Sequence, residues 1–247
     1  FPTRRSSDLL VLCLLLGRRR GYGRMPMLPH HLPMTVLGGA MLWFGWFGFN
    51  AGSALGAGPL AANAVLTTQM SAAIGIVGWV LVERYHRGKP TVLGAVSGGV
   101  SGLVAITPAA GFVTPVAAIP IGFVGAICCY VAVAVLKSKF GYDDSLDAFG
   151  IHGVGGMWGA IATGLFATVS VNPDGADGLF YGGNLLIPQL ISLVVAIALA
   201  IIGTTIIFKV VSLFMDMRVS ISAESLGIDI SEHGEGAYNQ SEFKSSG

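Results

Sequence analysis

Long apolar runs separated by short polar or glycine-rich breaks fill most of this chain. They fall at about 33–57, 61–83, 91–109, 115–136, 147–169 and 185–215, with very few charges inside them. A helix that crosses a bilayer needs roughly 20 mostly apolar residues. The pattern therefore predicts an all-α membrane protein with six transmembrane helices over 33–219. The third run is short and glycine-rich, and the last is long enough to tilt or to extend beyond the bilayer.

Composition and charge sharpen this picture. Apolar residues make up 53% of the 247 and charged residues 11%, against about 25% charged in soluble domains. Mean hydropathy is +0.72. From the first apolar run onward, basic residues group at alternate breaks: Arg18, Arg19, Arg20 and Arg24 before it, then Arg84, Arg87 and Lys89, then Lys137 and Lys139, and Lys209, Arg218 and Lys244 at the end of the sixth run or beyond it. The intervening breaks around 57–59, 107–115 and 171–181 hold no Lys or Arg. The positive-inside rule then places every basic break, and the C-terminus, in the cytoplasm. The net charge of +1 identifies no partner, and no nucleic-acid partner is implied.

The two ends differ from the middle. Residues 1–9, Phe-Pro-Thr-Arg-Arg-Ser-Ser-Asp-Leu, lack the apolar core of a signal peptide and read as translated sequencing-adapter sequence. Residues 10–32 read as the end of a truncated helix, Leu10–Leu16, followed by a cytoplasmic loop. Residues 220–247 form an acidic, Ser-rich C-terminal tail with Glu224, Asp229, Glu232, His233, Glu235 and Glu242. A solvated tail and a regulatory segment both fit that composition.

His152 is the residue most in need of explanation. An ionisable group inside a membrane is costly and is a functional-site candidate by default. A neighbouring helix could satisfy it as a structural group, or it could line a pore as a proton acceptor, with Gly150, Gly153, Gly155 and Gly156 leaving it accessible. On the first helix Trp46, Phe49 and Ser53 share one face by their spacing of three and four. Such a face offers aromatic surfaces that attract a small cation, and a hydroxyl that can accept from an N–H donor. Plain packing explains the same spacing. Asp147, five residues before His152, falls on a different face of an α-helix and reads as a helix-end or inter-helix structural carboxylate.

Small residues recur every four positions at Gly48, Gly52 and Gly56, at Gly94, Gly98 and Gly102, and at Gly156, Ala160 and Gly164, which predicts close helix approach. His30, His31, His86 and His233 have no cysteine or carboxylate spaced for a metal site, so no metal and no cofactor are implied. Cys13, Cys128 and Cys129 read as buried, unbridged thiols. No Gly-rich loop ends in Lys-Ser/Thr, which argues against an ATP-driven pump. Nothing in the pattern suggests an enzyme.

Four segments together resemble the ammonium transporter (Amt/Mep/Rh) family: Gly-Trp-Phe-Gly-Phe-Asn-Ala-Gly-Ser at 45–53, Asp-Ala-Phe-Gly-Ile-His-Gly-Val-Gly-Gly at 147–156, Ser-Glu-His-Gly-Glu-Gly-Ala-Tyr at 231–238, and the loop 21–33, where His31 stands in place of a usual Asn. The resemblance runs from about Gly17 to Tyr238. It implies an eleven-helix subunit made of two inverted repeats, an arrangement common among transporters. This chain would hold the second repeat, the final helix and the tail. It further implies a homotrimer in the plasma or inner membrane with one narrow pore per subunit, serving nitrogen uptake. Ser53 would belong to an outer ammonium-recruiting site, Phe49 to a gate below it, Trp46 to the wall of a chamber, and His152 to a histidine pair. Ammonium would give up a proton there, and ammonia would cross an apolar pore. A PII-type regulatory protein would be a partner at the tail. The first histidine of the pair would fall where the adapter-like residues stand, so the chain alone is expected to be an inactive fragment. Another proton-coupled secondary transporter, or a membrane-embedded metal hydrolase, are the alternatives; the hydrolase would need further ligands converging on His152.

Overall fold

A computed structural model describes residues 2–25, 27 and 29–236, with side chains from residue 7 onward. Glu242 and Lys244 of the tail, and the end of the 231–238 motif, lie outside the described residues. Among those described there are helices and turns and no strand. In chain order they are α1 (Pro2–Leu16), α2 (Leu32–Gly52), α3 (Pro59–Arg87), α4 (Val92–Ile106), α5 (Pro115–Val131), a π-turn (Ala132–Leu136), α6 (Lys137–Phe140), a second π-turn (Phe149–Gly153), α7 (Val154–Phe166), a 3-10 turn (Leu179–Tyr181), α8 (Leu186–Val211), α9 (Ile221–Leu226) and α10 (Ile228–His233).

Local chemistry sets the helix boundaries. Pro33, Pro59 and Pro115 open α2, α3 and α5, where a missing N–H costs nothing. His31 caps α2 by accepting the Met34 N–H on Nδ1 at 3.1 Å, the task an Asn would perform. Thr91 caps α4 by accepting from the Gly94 N–H at 2.9 Å, and is itself held by the Glu83 carboxylate. Gly88, at φ 81, closes α3 in the left-handed region, as a helix end commonly requires.

Each expected apolar run holds helix, but the lengths differ from expectation. Among the described residues, Leu32–Gly52, Pro59–Arg87, Pro115–Phe140 and Leu186–Val211 are the four helices long and apolar enough to cross a membrane. Helix α4 has 15 residues, about 22 Å at 1.5 Å per residue, short of a hydrocarbon core of roughly 30 Å. The run at 147–169 is divided between the second π-turn and the 13 residues of α7. By length and apolarity, four of the six expected runs hold such a helix among the described residues.

Helices α3, α4, α5 and α7 form the packed centre, and glycines let their backbones meet. A Cβ on Gly75 would stand 2.5 Å from the Gly98 carbonyl oxygen, and one on Gly102 would collide with the Ser71 carbonyl. Gly78 meets the Phe123 carbonyl, Gly122 meets Ser71, and Gly159 meets the Ala105 carbonyl. The expected ridge on α4 thus packs as read. On α7, Gly155 meets Cys129 and Val104, Gly159 meets the Ala105 carbonyl, Gly164 abuts Leu186 of α8, and Gly156 is buried as well. The ridge on α2 differs from expectation: among the described residues Gly48, Gly52 and Gly56 meet nothing within 4 Å. Small size permits approach, but only a facing helix of matching shape makes it happen.

All three cysteines are free thiols, Cys129 buried and Cys13 and Cys128 partly so. Residues 2–9, set apart in the sequence reading, belong to the same helix as Leu10–Leu16, and Asp8 accepts from the Thr204 hydroxyl of α8 at 2.9 Å. The basic breaks gather at one end of the bundle. There Arg19 donates to the Asp143 carboxylate from its backbone N–H, Nε and Nη2 at 2.8, 2.9 and 2.7 Å. Burial raises the Asp143 carboxyl, yet the hydrogen bonds and charge of Arg19 outweigh it and hold the group below its ordinary range. Arg218 donates to the Leu16 carbonyl and pairs with Glu224, which also accepts the Arg20 N–H, so α9 rests on the loop after α1.

Candidate functional site

The residues singled out on α2 and beside α7 come together. The imidazole of His152 lies nearly parallel to the Trp46 indole, with centroids 6.3 Å apart and planes 14° apart. Phe49, one turn along α2, meets Trp46 edge-on at 6.0 Å and 72°. The Ser53 hydroxyl, just past the end of α2, donates to the Phe49 carbonyl at 2.8 Å. That leaves the serine oxygen's lone pairs as acceptors for an N–H donor. The four side chains therefore form a column from Ser53 through Phe49 and Trp46 to His152. Neither imidazole nitrogen of His152 has a hydrogen-bond partner among the described residues, so both stay open to a mobile donor or acceptor.

Thr107 holds Trp46 in place. The indole N–H donates to the Thr107 hydroxyl at 2.8 Å, and Thr107 in turn donates to the Leu103 carbonyl at 2.7 Å. Thr107 ends α4 and was not singled out by the sequence. A half-buried Trp needs an acceptor for its N–H, but spacing cannot say which residue 61 positions away supplies it. Asn50, the one buried residue of α2, donates to Thr68 Oγ1 at 2.9 Å and ties the helix to α3.

Asp147 lies at the foot of the His152 segment and pairs with Lys137 Nζ at 2.6 Å. On an α-helix a five-residue spacing would put Asp147 and His152 on different faces, but Asp147 precedes a π-turn and has φ 55, in the left-handed region. The residue that caps this segment is Asp144, which the sequence reading passed over. Its carboxylate accepts the N–H groups of Ala148 and Phe149 at 3.0 and 2.8 Å. A separate cavity of about 520 Å³ lies between α7 and α8, beside Phe112, Thr163, Asp174 and Gln189.

Such a column offers π-surfaces and a hydroxyl to a small cation with N–H donors, and an imidazole to a proton. The model of the Ammonium Transporter Family matches residues 9–238. The chain belongs to that family. It is 55% identical to an ammonium transporter of Bacillus subtilis over 233 residues, covering 94% of this chain and 57% of that protein. It is also 46% identical to the ammonium transporter Amt1 of Archaeoglobus fulgidus, over 93% of this chain and 58% of that protein. Among solved structures it is similar to Mep2 of Saccharomyces cerevisiae, with TM-score 0.80 and 37% identity over 86% of this chain and 51% of that one. A structure described as a sensor Amt protein superposes with TM-score 0.84 at 27% identity, covering 93% and 57%. The family chain thus spans little more than half the length of the relatives it matches. Those relatives are named as transporters, not enzymes.

Proposed function

We propose that this family chain carries part of the path by which ammonium or ammonia crosses a cell membrane. The stack of Trp46 on His152, continued by Phe49 and Ser53, carries the reading. Ammonium donates an N–H to the Ser53 oxygen and rests against the aromatic faces, which attract a cation more strongly as water is stripped away. It gives up a proton on passing Phe49. Neutral ammonia continues along the apolar path, and His152, with both nitrogens open, takes part in the separate route of the proton. The gathering of basic residues at one end supports a cytoplasmic placement of that end and of the C-terminus. Family membership supports a homotrimer of the whole protein. The exposed α9 and α10 suit a tail that meets a PII-type regulator.

On this reading the chain alone does not conduct. Phe49 is 58% exposed and the α2 face with Gly48 and Gly52 meets nothing, so the path is walled on one side among the described residues. Cells lacking their own ammonium transporters and expressing only this chain should show background uptake of labelled methylammonium. A chimera that adds the unmatched part of the Bacillus subtilis relative should restore uptake, and His152→Ala in that chimera should alter its selectivity or cut uptake at least tenfold. Uptake by the chain alone would refute the one-sided path. Unaltered transport and selectivity in the His152→Ala chimera would sink the role of the imidazole.

A further inference from the structure

His152 is held at a place where the helix is not α-helical. Within Phe149–Gly153 the Val154 N–H reaches the Phe149 carbonyl, five residues back. Such π-turns are rare and appear as single turns inside α-helices, so their neighbours must hold them. Three groups do so here. The Asp144 carboxylate accepts from Ala148, Phe149 and, at 3.4 Å, Gly150. Asp147 accepts the Ile151 N–H on its carbonyl at 2.9 Å. Lys137 Nζ donates at once to the Asp147 carboxylate at 2.6 Å and to the Asp144 carbonyl at 2.7 Å.

Lys137 itself follows the other π-turn, Ala132–Leu136. The two turns face each other: a Cβ on Gly150 would come within 2.6 Å of Val133 Cγ2. One lysine thus ties the entry of the second π-turn to the exit of the first. The geometry points to Lys137 as the positioning residue for His152, acting through Asp147. The functional weight of this inference rests on the reading of His152 as a pore residue; its geometry does not. Without the ion pair, Asp147 loses the contact that keeps it at φ 55, and the extra residue of the π-turn can relax into an α-helix. A shift of one residue turns a helical side chain by roughly 100°. The imidazole then leaves the Trp46 face.

The test uses the full chain in detergent micelles with isotope-labelled histidine. The His152 ring C–H signals are assigned by their loss in His152→Gln, and the ring-current shift from Trp46 is measured against Trp46→Leu. Lys137→Met is expected to remove at least half of that shift, while Lys137→Arg keeps most of it. Asp147→Ala, which removes the carboxylate and gives the left-handed backbone no help, should behave like Lys137→Met and decides the matter if the latter does not fold. An unchanged shift in Lys137→Met or Asp147→Ala overturns the positioning role, whatever the transport result. A lost shift in Lys137→Met with undiminished methylammonium uptake by the corresponding chimera leaves the positioning intact and overturns the pore reading of His152 instead.

Discussion

Helices α2 and α3 are both long and apolar, with 21 and 29 residues, yet they sit in the molecule in opposite ways. Nine residues of α3 are buried, and its glycines touch the backbones of α4 and α5. Helix α2 buries only Asn50, and Phe44, Met41 and Phe49 stand 81%, 66% and 58% exposed. Lipid tails are as apolar as leucine, so hydrophobicity places both helices in a membrane without packing either against a neighbour. Packing comes from small residues set opposite one another. Helix α3 has them at the right heights; on α2, Gly39 faces Val96 of α4, but Gly48 and Gly52 have nothing across from them among the described residues. The candidate site spans the two regimes, with His152 on the packed side and Trp46 and Phe49 on the open one.

The sharpest way to break this contrast is a side chain in the α3–α4 seam. Gly102→Val would drive into the Ser71 carbonyl, backbone against side chain, with no flexible tip to give way. Overpacking of this kind costs typically 1–3 kcal/mol and more against rigid backbone, so about 3 kcal/mol should be lost. Thermal unfolding in micelles measures it, and near-native stability would mean the seam is looser than the glycine contacts imply.

A smaller effect is expected at the basic end, where Arg19 and Asp143 tie the loop after α1 to the loop before the π-turn. The Asp143 side chain is 1% exposed but Arg19 is 44% exposed. Breaking a fully buried pair costs 3–5 kcal/mol, and exposure of one partner screens it. Asp143→Ala should therefore cost about 1–2 kcal/mol. Because the carboxyl is held below its ordinary range, the tie is complete above that range and is lost as the pH falls through the lowered value. Acid unfolding of the native chain should show this loss, and Asp143→Ala should flatten it. Equal acid sensitivity in both would place the titrating group elsewhere.

The smallest effect belongs to the open side. A Cβ on Gly48 meets nothing, and alanine is favoured over glycine in a helix interior by roughly 0.5–1 kcal/mol. Gly48→Ala should be neutral or slightly stabilising in the same unfolding assay. A loss of more than about 1 kcal/mol would show that α2 packs closely after all.

The column was legible in part. Trp46, Phe49 and Ser53 could be placed on one face because helical spacing is local, and His152 drew notice because a charge-bearing ring in an apolar run is costly. Thr107 was not legible: an indole donor demands some acceptor, and any of many hydroxyls would do. Asp144 was passed over for Asp147, since both look alike in a sequence and only the π-turn shows which carboxylate reaches three N–H groups. The glycine pattern misled on α2 for a related reason, because half of a packing contact lies on another helix.

What the sequence by itself determined is the class of the molecule: apolar helices, basic breaks gathered at one end, and motifs specific enough to name the family. These follow from local energetics, in which each residue's transfer and spacing count alone. Which glycines meet a backbone, which helix stays open, and how the His152 ring is turned onto Trp46 were decided only by the tertiary structure. Each depends on two surfaces fitting at once, and on a π-turn held by Lys137, Asp144 and Asp147. Its extra residue follows from no single-helix periodicity.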